Sequence, residues 1–139
     1  MKLSVVIPMY NESEIIFDTV AQLRALADEN PEHGFEFVLV NDGSRDDSAS
    51  AAKKVTEGDE RFVVTGYEDN RGKGAAVRFG MLASSGEVRV FTDCDLAYGT
   101  DNIVKIAEKL VADGTDITIG SRNLSDDGYA GYKIGRAHV

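Results

Sequence analysis

Five short runs rich in β-branched and aromatic residues, each followed by a stretch of different periodicity, constrain this chain more than any other feature. They fall at positions 3–7, 35–40, 62–67, 88–92 and 117–119. Most are continuously apolar rather than alternating, which is how strands read when both faces of their sheet are covered. Between them lie helical patterns. Asn11 to Glu14 offers a capping-box-like start, and Ile16, Val20, Leu23 and Ala27 then recur at helical spacing. A second short helix is expected after Asp47, through Ala52 and Val55, and a third carries Val77, Gly80 and Met81 on one face. The fourth is the clearest, capped by Thr100 or Asp101 with a stripe of Ile103, Ile106, Ala107, Leu110 and Val111. Strand and helix in strict alternation predict an α/β three-layer sandwich on a mainly parallel sheet. The 139 residues allow one such domain. Residues 123–135 are rich in Gly, Asp, Ser and Tyr without periodicity, so they read as a flexible loop, with no closing strand or helix expected after it.

Charge narrows the partners. The formal net charge is −9, which repels a polyphosphate backbone and argues against a nucleic-acid partner. A phosphate-bearing small molecule would need local compensation from a basic residue, backbone N–H groups or a bound cation. A single cysteine, Cys94, excludes an intrachain disulfide and points to a reducing, cytoplasmic compartment. No apolar stretch reaches the roughly 18 residues a membrane span needs, so any membrane contact would come from a part not present here.

Ligands of open α/β sheets bind beyond the carboxyl ends of the strands, so the residues there are the candidates. The first strand leads into Pro8-Met9-Tyr10-Asn11-Glu12, without the glycines of a dinucleotide fingerprint. The second leads into Asn41-Asp42-Gly43-Ser44, where an outward carboxylate could accept bonds from a base or ribose; the same residues also suit a turn and helix cap. The third leads into Asn70-Arg71-Gly72-Lys73-Gly74, which is not a P-loop but could bring backbone and cations to a phosphate, or be a plain glycine-rich connection. The fourth leads into Asp93-Cys94-Asp95. Two unit charges about 4 Å apart repel by roughly 4 kcal/mol at an effective dielectric of 20. A divalent cation such as magnesium or manganese reverses that sign and leaves positions open for substrate phosphates. If the strand stays extended, both aspartates share a face and Cys94 turns into packing. His33 and His138 have no companion at ligating spacing and read as surface residues. Arg122, in Gly120-Ser121-Arg122 after the fifth strand, could grip a phosphate or pair with a nearby acid.

These five segments, in this order, resemble the family 2 glycosyltransferases of GT-A fold, most nearly the dolichyl-phosphate and polyprenyl-phosphate sugar transferases. The resemblance runs from Lys2 to Arg122. It implies that Pro8, Tyr10 and Glu12 line a nucleoside pocket and that Asp42 meets the base, with Gly43 and Ser44 shaping the loop. It further implies that Lys73 reaches the donor phosphates, that Asp93 and Asp95 hold Mg2+ or Mn2+ on the diphosphate, and that Arg122 lies near the donor or acceptor phosphate. Asp95 and Arg122 are then the residues nearest the chemistry. The implied partners are a UDP- or GDP-linked sugar, with a weak inclination to UDP-glucose, and a lipid-phosphate or glycan acceptor. The implied outcome is inverting transfer at the cytoplasmic side; homo-oligomerisation stays open. On this reading residues 1–122 are the N-terminal, nucleotide-sugar-binding portion, and 123–139 are a loop or the start of an acceptor-binding part that lies beyond.

Three rivals remain. A sugar-phosphate nucleotidyltransferase expects a glycine-rich loop with arginine where Pro8-Met9-Tyr10-Asn11 stands. A non-catalytic nucleotide-binding fragment predicts binding without transfer. A flavodoxin-like receiver expects an isolated phospho-acceptor aspartate, not an acid pair.

Overall fold

In the computed structural model, residues 1–122 and 132–136 are described. The chain divides into two compact units, Met1–Ala97 and Tyr98–Val139. The first holds β1 (Lys2–Met9), α1 (Ile16–Glu29), β2 (Gly34–Asp42), α2 (Ser48–Thr56), β3 (Phe62–Tyr67), α3 (Lys73–Ala83) and β4 (Val88–Phe91). Its four strands form one parallel sheet in the order β3-β2-β1-β4.

The apolar runs explain the layers. Val5, Val6, Ile7, Phe37, Val38, Leu39 and Val40 are all fully buried, so β1 and β2 are covered on both sides as their unbroken hydrophobicity requires. On one face Val6, Val38 and Val40 pack with Ala76 of α3, with Tyr67, Phe79 and Met81 closing the cluster. Gly80, one helical turn after Ala76, lies so near the sheet that a Cβ there would press on Val6 and Val40. On the other face α1 buries Ile16, Val20, Leu23, Leu26 and Ala27, and Phe37 stacks between Phe35 and Phe62 at 5.5 and 4.8 Å. Burying one such side chain contributes about 1.5–3 kcal/mol.

The second unit holds α4 (Asp101–Asp113), β5 (Thr118–Arg122) and β6 (Tyr132–Arg136). Here the sequence reading needs two corrections. The fifth strand pairs antiparallel with β6, from Thr118 opposite Arg136 to Arg122 opposite Tyr132, instead of extending the parallel sheet. Residues 132–136, expected inside a loop, form that partner strand; the rest of the expected loop lies outside the described residues. The pairing escapes a periodicity search because Tyr132-Lys133-Ile134-Gly135-Arg136 is neither a clean apolar run nor flanked by a tight-turn signal. Helix α4 forms where expected, although Val104 rather than Val111 completes its buried face. Among the described residues no helix is long and apolar enough to cross a membrane.

His33 is another correction. Its side chain is only 10% exposed, its Nδ1 lies 3.2 Å from the N-terminal amino group, and its ring meets Phe35 edge-on at 6.3 Å. His138 lies outside the described residues.

Candidate functional site

The loops after β1, β2 and β3 and the turn after β4 meet at the carboxyl edge of the parallel sheet. The loops after β1 and β2 are stitched together first. Asn11 takes a left-handed φ of 53°, a region that asparagine tolerates better than most residues. There its Oδ1 accepts the Arg45 N–H at 2.9 Å while its own N–H bonds Ser44 Oγ at 3.0 Å. The Glu12 N–H donates to Ser48 Oγ at 2.8 Å, and the Ser13 N–H to Asp46 Oδ2 at 3.3 Å. The expected capping box is therefore absent: Asn11 serves the neighbouring loop, and α1 starts at Ile16 without a side-chain cap. Pro8 and Tyr10 flank this seam, with Tyr10 41% exposed at the rim.

Asp42 sits at the centre of the next layer. It is 3% exposed and its carboxylate accepts four hydrogen bonds. Oδ1 takes the Tyr67 hydroxyl at 2.7 Å and the Arg71 N–H at 2.9 Å. Oδ2 takes Asn70 Nδ2 at 3.0 Å and the Gly72 N–H at 3.1 Å. A carboxylate offers about four lone-pair sites, so the protein itself occupies them all in this conformation. Asp42 thus clasps the loop after β3, and a base could meet it only by displacing one of those donors. Burial first, then the bond to Asp42 and its charge, push the Tyr67 phenol up to about 12, so it remains a donor. The Arg71 guanidinium lies 4.4 Å from the Tyr67 ring centre. Gly43, at φ 64°, is the contact point between the two loops, since any Cβ would run into the Asn70 backbone.

The clasp sets the first turn of α3. Gly72 precedes the helix at φ 98°, and no side chain caps the end, so Lys73 and its neighbours present backbone N–H groups at a helix N-terminus, a geometry suited to anions. Lys73 Nζ reaches across to Asp93 Oδ1 at 2.5 Å, both side chains about half exposed.

Beyond β4 the extended form does not persist. The strand ends at Phe91, and Asp93 to Leu96 form a turn in which the Leu96 N–H bonds the Asp93 carbonyl at 3.0 Å and Leu96 takes φ 51°. Turn geometry, not the strand pleat, presents the two acids. Thr19 of α1 holds the turn from below, its hydroxyl donating to the buried Cys94 carbonyl at 2.6 Å. Cys94 packs inward, 3% exposed, with burial pushing its thiol up to about 12, out of the range of a ready thiolate ligand. Asp95 Oδ1 accepts the Ala97 N–H at 3.1 Å.

Glu12 reports on the field these acids make. Its pKa is raised, by burial first and then by Asp95, Asp46 and Asp93. Glu12 thus stands close enough to Asp46, Asp93 and Asp95 to feel their charge, and the Lys73 ammonium lies directly on Asp93. Hard carboxylate oxygens are the donor type that magnesium and manganese prefer, and magnesium takes only one or two carboxylates from a protein. Among the described residues no three His, Cys, Asp or Glu side chains converge as a ready-made cage. The donor set therefore fits an ion that draws its other ligands from water and substrate.

Arg122 ends β5 in the second unit. A cleft of about 490 Å³ opens between α2 and the ends of β2 and β3, lined by Asn41, Ser44, Lys53, Thr65, Tyr67 and Glu68 among others. It shares Ser44 with the predicted donor residues but not Pro8, Tyr10, Lys73 or the aspartate pair. Sequence reasoning took Asn11 for a helix cap when it ties two loops together, and missed Thr19, Ser48 and Tyr67.

A parallel α/β sheet with acids and a lysine at its carboxyl edge is in keeping with the GT-A glycosyltransferase fold. A solved mannosyltransferase of Pyrobaculum calidifontis, in complex with GDP-Man and Mn2+, superposes with a TM-score of 0.59 at 25% identity, over 67% of this chain and 27% of that one. The chain belongs to glycosyltransferase family 2, whose pattern matches residues 4–138. Among curated relatives, a dolichyl-phosphate beta-glucosyltransferase of Trichomonas vaginalis is 36% identical over 125 residues, covering 84% of this chain and 37% of the relative. An undecaprenyl-phosphate 4-deoxy-4-formamido-L-arabinose transferase of Pseudomonas syringae is also 36% identical over 125 residues, covering 89% and 36%. The chain thus spans little more than a third of the length of these relatives.

Proposed function

We propose that this chain is the nucleotide-sugar-binding portion of a metal-dependent, inverting glycosyltransferase that moves a hexose from a UDP- or GDP-linked donor to a polyprenyl phosphate. The observation that carries the reading is the meeting of Asp93, Asp95, Glu12 and Lys73 at the sheet edge, beside the uncapped N-terminus of α3. The relatives named for dolichyl- and undecaprenyl-phosphate transfer support the acceptor class, and the GDP-Man and Mn2+ of the mannosyltransferase complex support donor and metal.

Asp93 and Asp95 would hold Mg2+ or Mn2+, which supplies Lewis-acid stabilisation of charge on the departing diphosphate. Lys73 and the first N–H groups of α3 bind the same phosphates. Pro8, Tyr10, Glu12, Ser44 and the Asp42–Gly43 loop form the nucleoside side of the site, and Arg122 serves a donor or acceptor phosphate. In the transfer a phosphate oxygen of the acceptor bonds the anomeric carbon as the bond to the nucleoside diphosphate breaks. A phosphate monoester is largely ionised at neutral pH, with a second pKa of about 6, so the nucleophile needs no strong general base.

The test is a thermal-shift panel of UDP-glucose and GDP-mannose with and without Mn2+. Saturation at one hundred times the dissociation constant stabilises the fold by about 2.7 kcal/mol. Asp95→Asn is expected to abolish the metal-dependent part. A folded sample that neither nucleotide sugar stabilises at millimolar concentration refutes the reading.

A further inference from the structure

We infer that Lys73 is the built-in counter-ion of Asp93 in the metal-free protein, and that it passes from that carboxylate to the donor diphosphate as a divalent cation is bound, so that one side chain couples the two ligands. The inference rests on the proposed metal and donor sites and adds the linkage between them.

Three observations lead here. Lys73 Nζ sits directly on Asp93 Oδ1 at 2.5 Å, so an ammonium already engages one oxygen of a carboxylate proposed to ligate the cation. The surroundings of that pair are acidic, since Glu12 feels Asp95, Asp46 and Asp93, and in a chain of net charge −9 the pair needs a positive partner when no metal is bound. Lastly, the backbone and the side chain of Lys73 are constrained very differently. Asp42 holds the two preceding residues through the Arg71 and Gly72 N–H groups, which fixes where the side chain starts. The ammonium itself is at the end of a flexible stem and 57% exposed, on a pair whose other member is 45% exposed. A pair this exposed is weakly held, so the contact is made and broken at little cost.

A divalent cation on Asp93 and the Lys73 ammonium would compete, because two positive charges on one carboxylate repel each other. The released ammonium has an anion-binding surface beside it, the first N–H groups of its own helix. A diphosphate there attracts Lys73 away from Asp93 and frees the metal position. By linkage, whatever the diphosphate does for the metal, the metal does for the diphosphate. Without Lys73 the competition disappears.

The experiment is calorimetric titration of Mn2+ into the protein without nucleotide, comparing wild type with Lys73→Met and Lys73→Gln. Lys54→Met controls for the loss of one positive charge, since Lys54 is an exposed residue of α2. Both Lys73 variants are expected to bind Mn2+ more tightly than wild type, by up to about fivefold, or about 1 kcal/mol, with Lys54→Met unchanged. Repeated with saturating UDP or GDP, the advantage of the Lys73 variants is expected to vanish. Mn2+ affinity in the Lys73 variants equal to that of Lys54→Met overturns the exchange while leaving the metal site standing. Absence of Mn2+ binding in every protein overturns the metal site and the exchange with it. Urea unfolding of each variant verifies that the compared samples are folded.

Discussion

Replacing Asp42 by asparagine alters one atom of the loop clasp, and its cost can be worked from the geometry. Oδ1 faces two donors, the Tyr67 hydroxyl and the Arg71 N–H, and Oδ2 faces two more, Asn70 Nδ2 and the Gly72 N–H. In Asp42→Asn one of these oxygens becomes an NH2 group. If it replaces Oδ2, the Gly72 N–H points at a donor, and Asn70 cannot turn its amide to present an oxygen without giving up its 3.0 Å bond to the Asp42 carbonyl. If it replaces Oδ1, the Tyr67 hydroxyl can rotate to accept, but the Arg71 N–H is left facing a donor. Either way one part-buried backbone N–H loses its partner, beside a carboxylate that is itself 3% exposed. An unsatisfied buried donor costs about 1–3 kcal/mol, and the surviving bonds lose their charge assistance. The expected destabilisation is therefore about 2–4 kcal/mol. Urea unfolding should show a lower midpoint with an unchanged slope, because the surface exposed on unfolding is the same. The reasoning is refuted if the midpoint of Asp42→Asn places it within about 0.5 kcal/mol of wild type, the range of an ordinary surface substitution.

Gly43→Ala is expected to destabilise by about 2 kcal/mol or more, because φ is 64° and the new Cβ runs into the Asn70 backbone; the same urea experiment reads it. Glu12 gives a pH signature. Its folded pKa is raised above 4.5, so the native state holds the proton more tightly than the unfolded chain does. That stabilisation is fully present below pH 4.5 and is lost as pH rises through the folded pKa. Glu12→Gln should flatten that decline in thermal melts of the metal-free protein, and an unchanged pH profile would show that Glu12 is not held in the field of Asp95, Asp46 and Asp93.

Unbroken apolar runs at β1 and β2 and 3.6-residue patterns between them are local properties, and they carried the parallel α/β layering from sequence to structure with shifts only at the element ends. The acids at the strand ends were legible for the same reason: an aspartate placed just past an apolar run stands at the sheet edge wherever that run forms a strand. Partnership was not legible. Asp42 accepts the Gly72 N–H from 30 residues away and the Asn11 N–H donates to Ser44 Oγ 33 residues on, separations over which no periodicity speaks. The same limit hid the pairing of Lys73 with Asp93, the grip of Thr19 on the Cys94 carbonyl, and the antiparallel turn of β5 towards β6. Spacing along the chain determines which side chains stand at the rim of the sheet. Whether a carboxylate there clasps a loop, as Asp42 does, or faces outward beside a lysine, as Asp93 does, was decided only when distant loops met and their donors and charges had to be satisfied together.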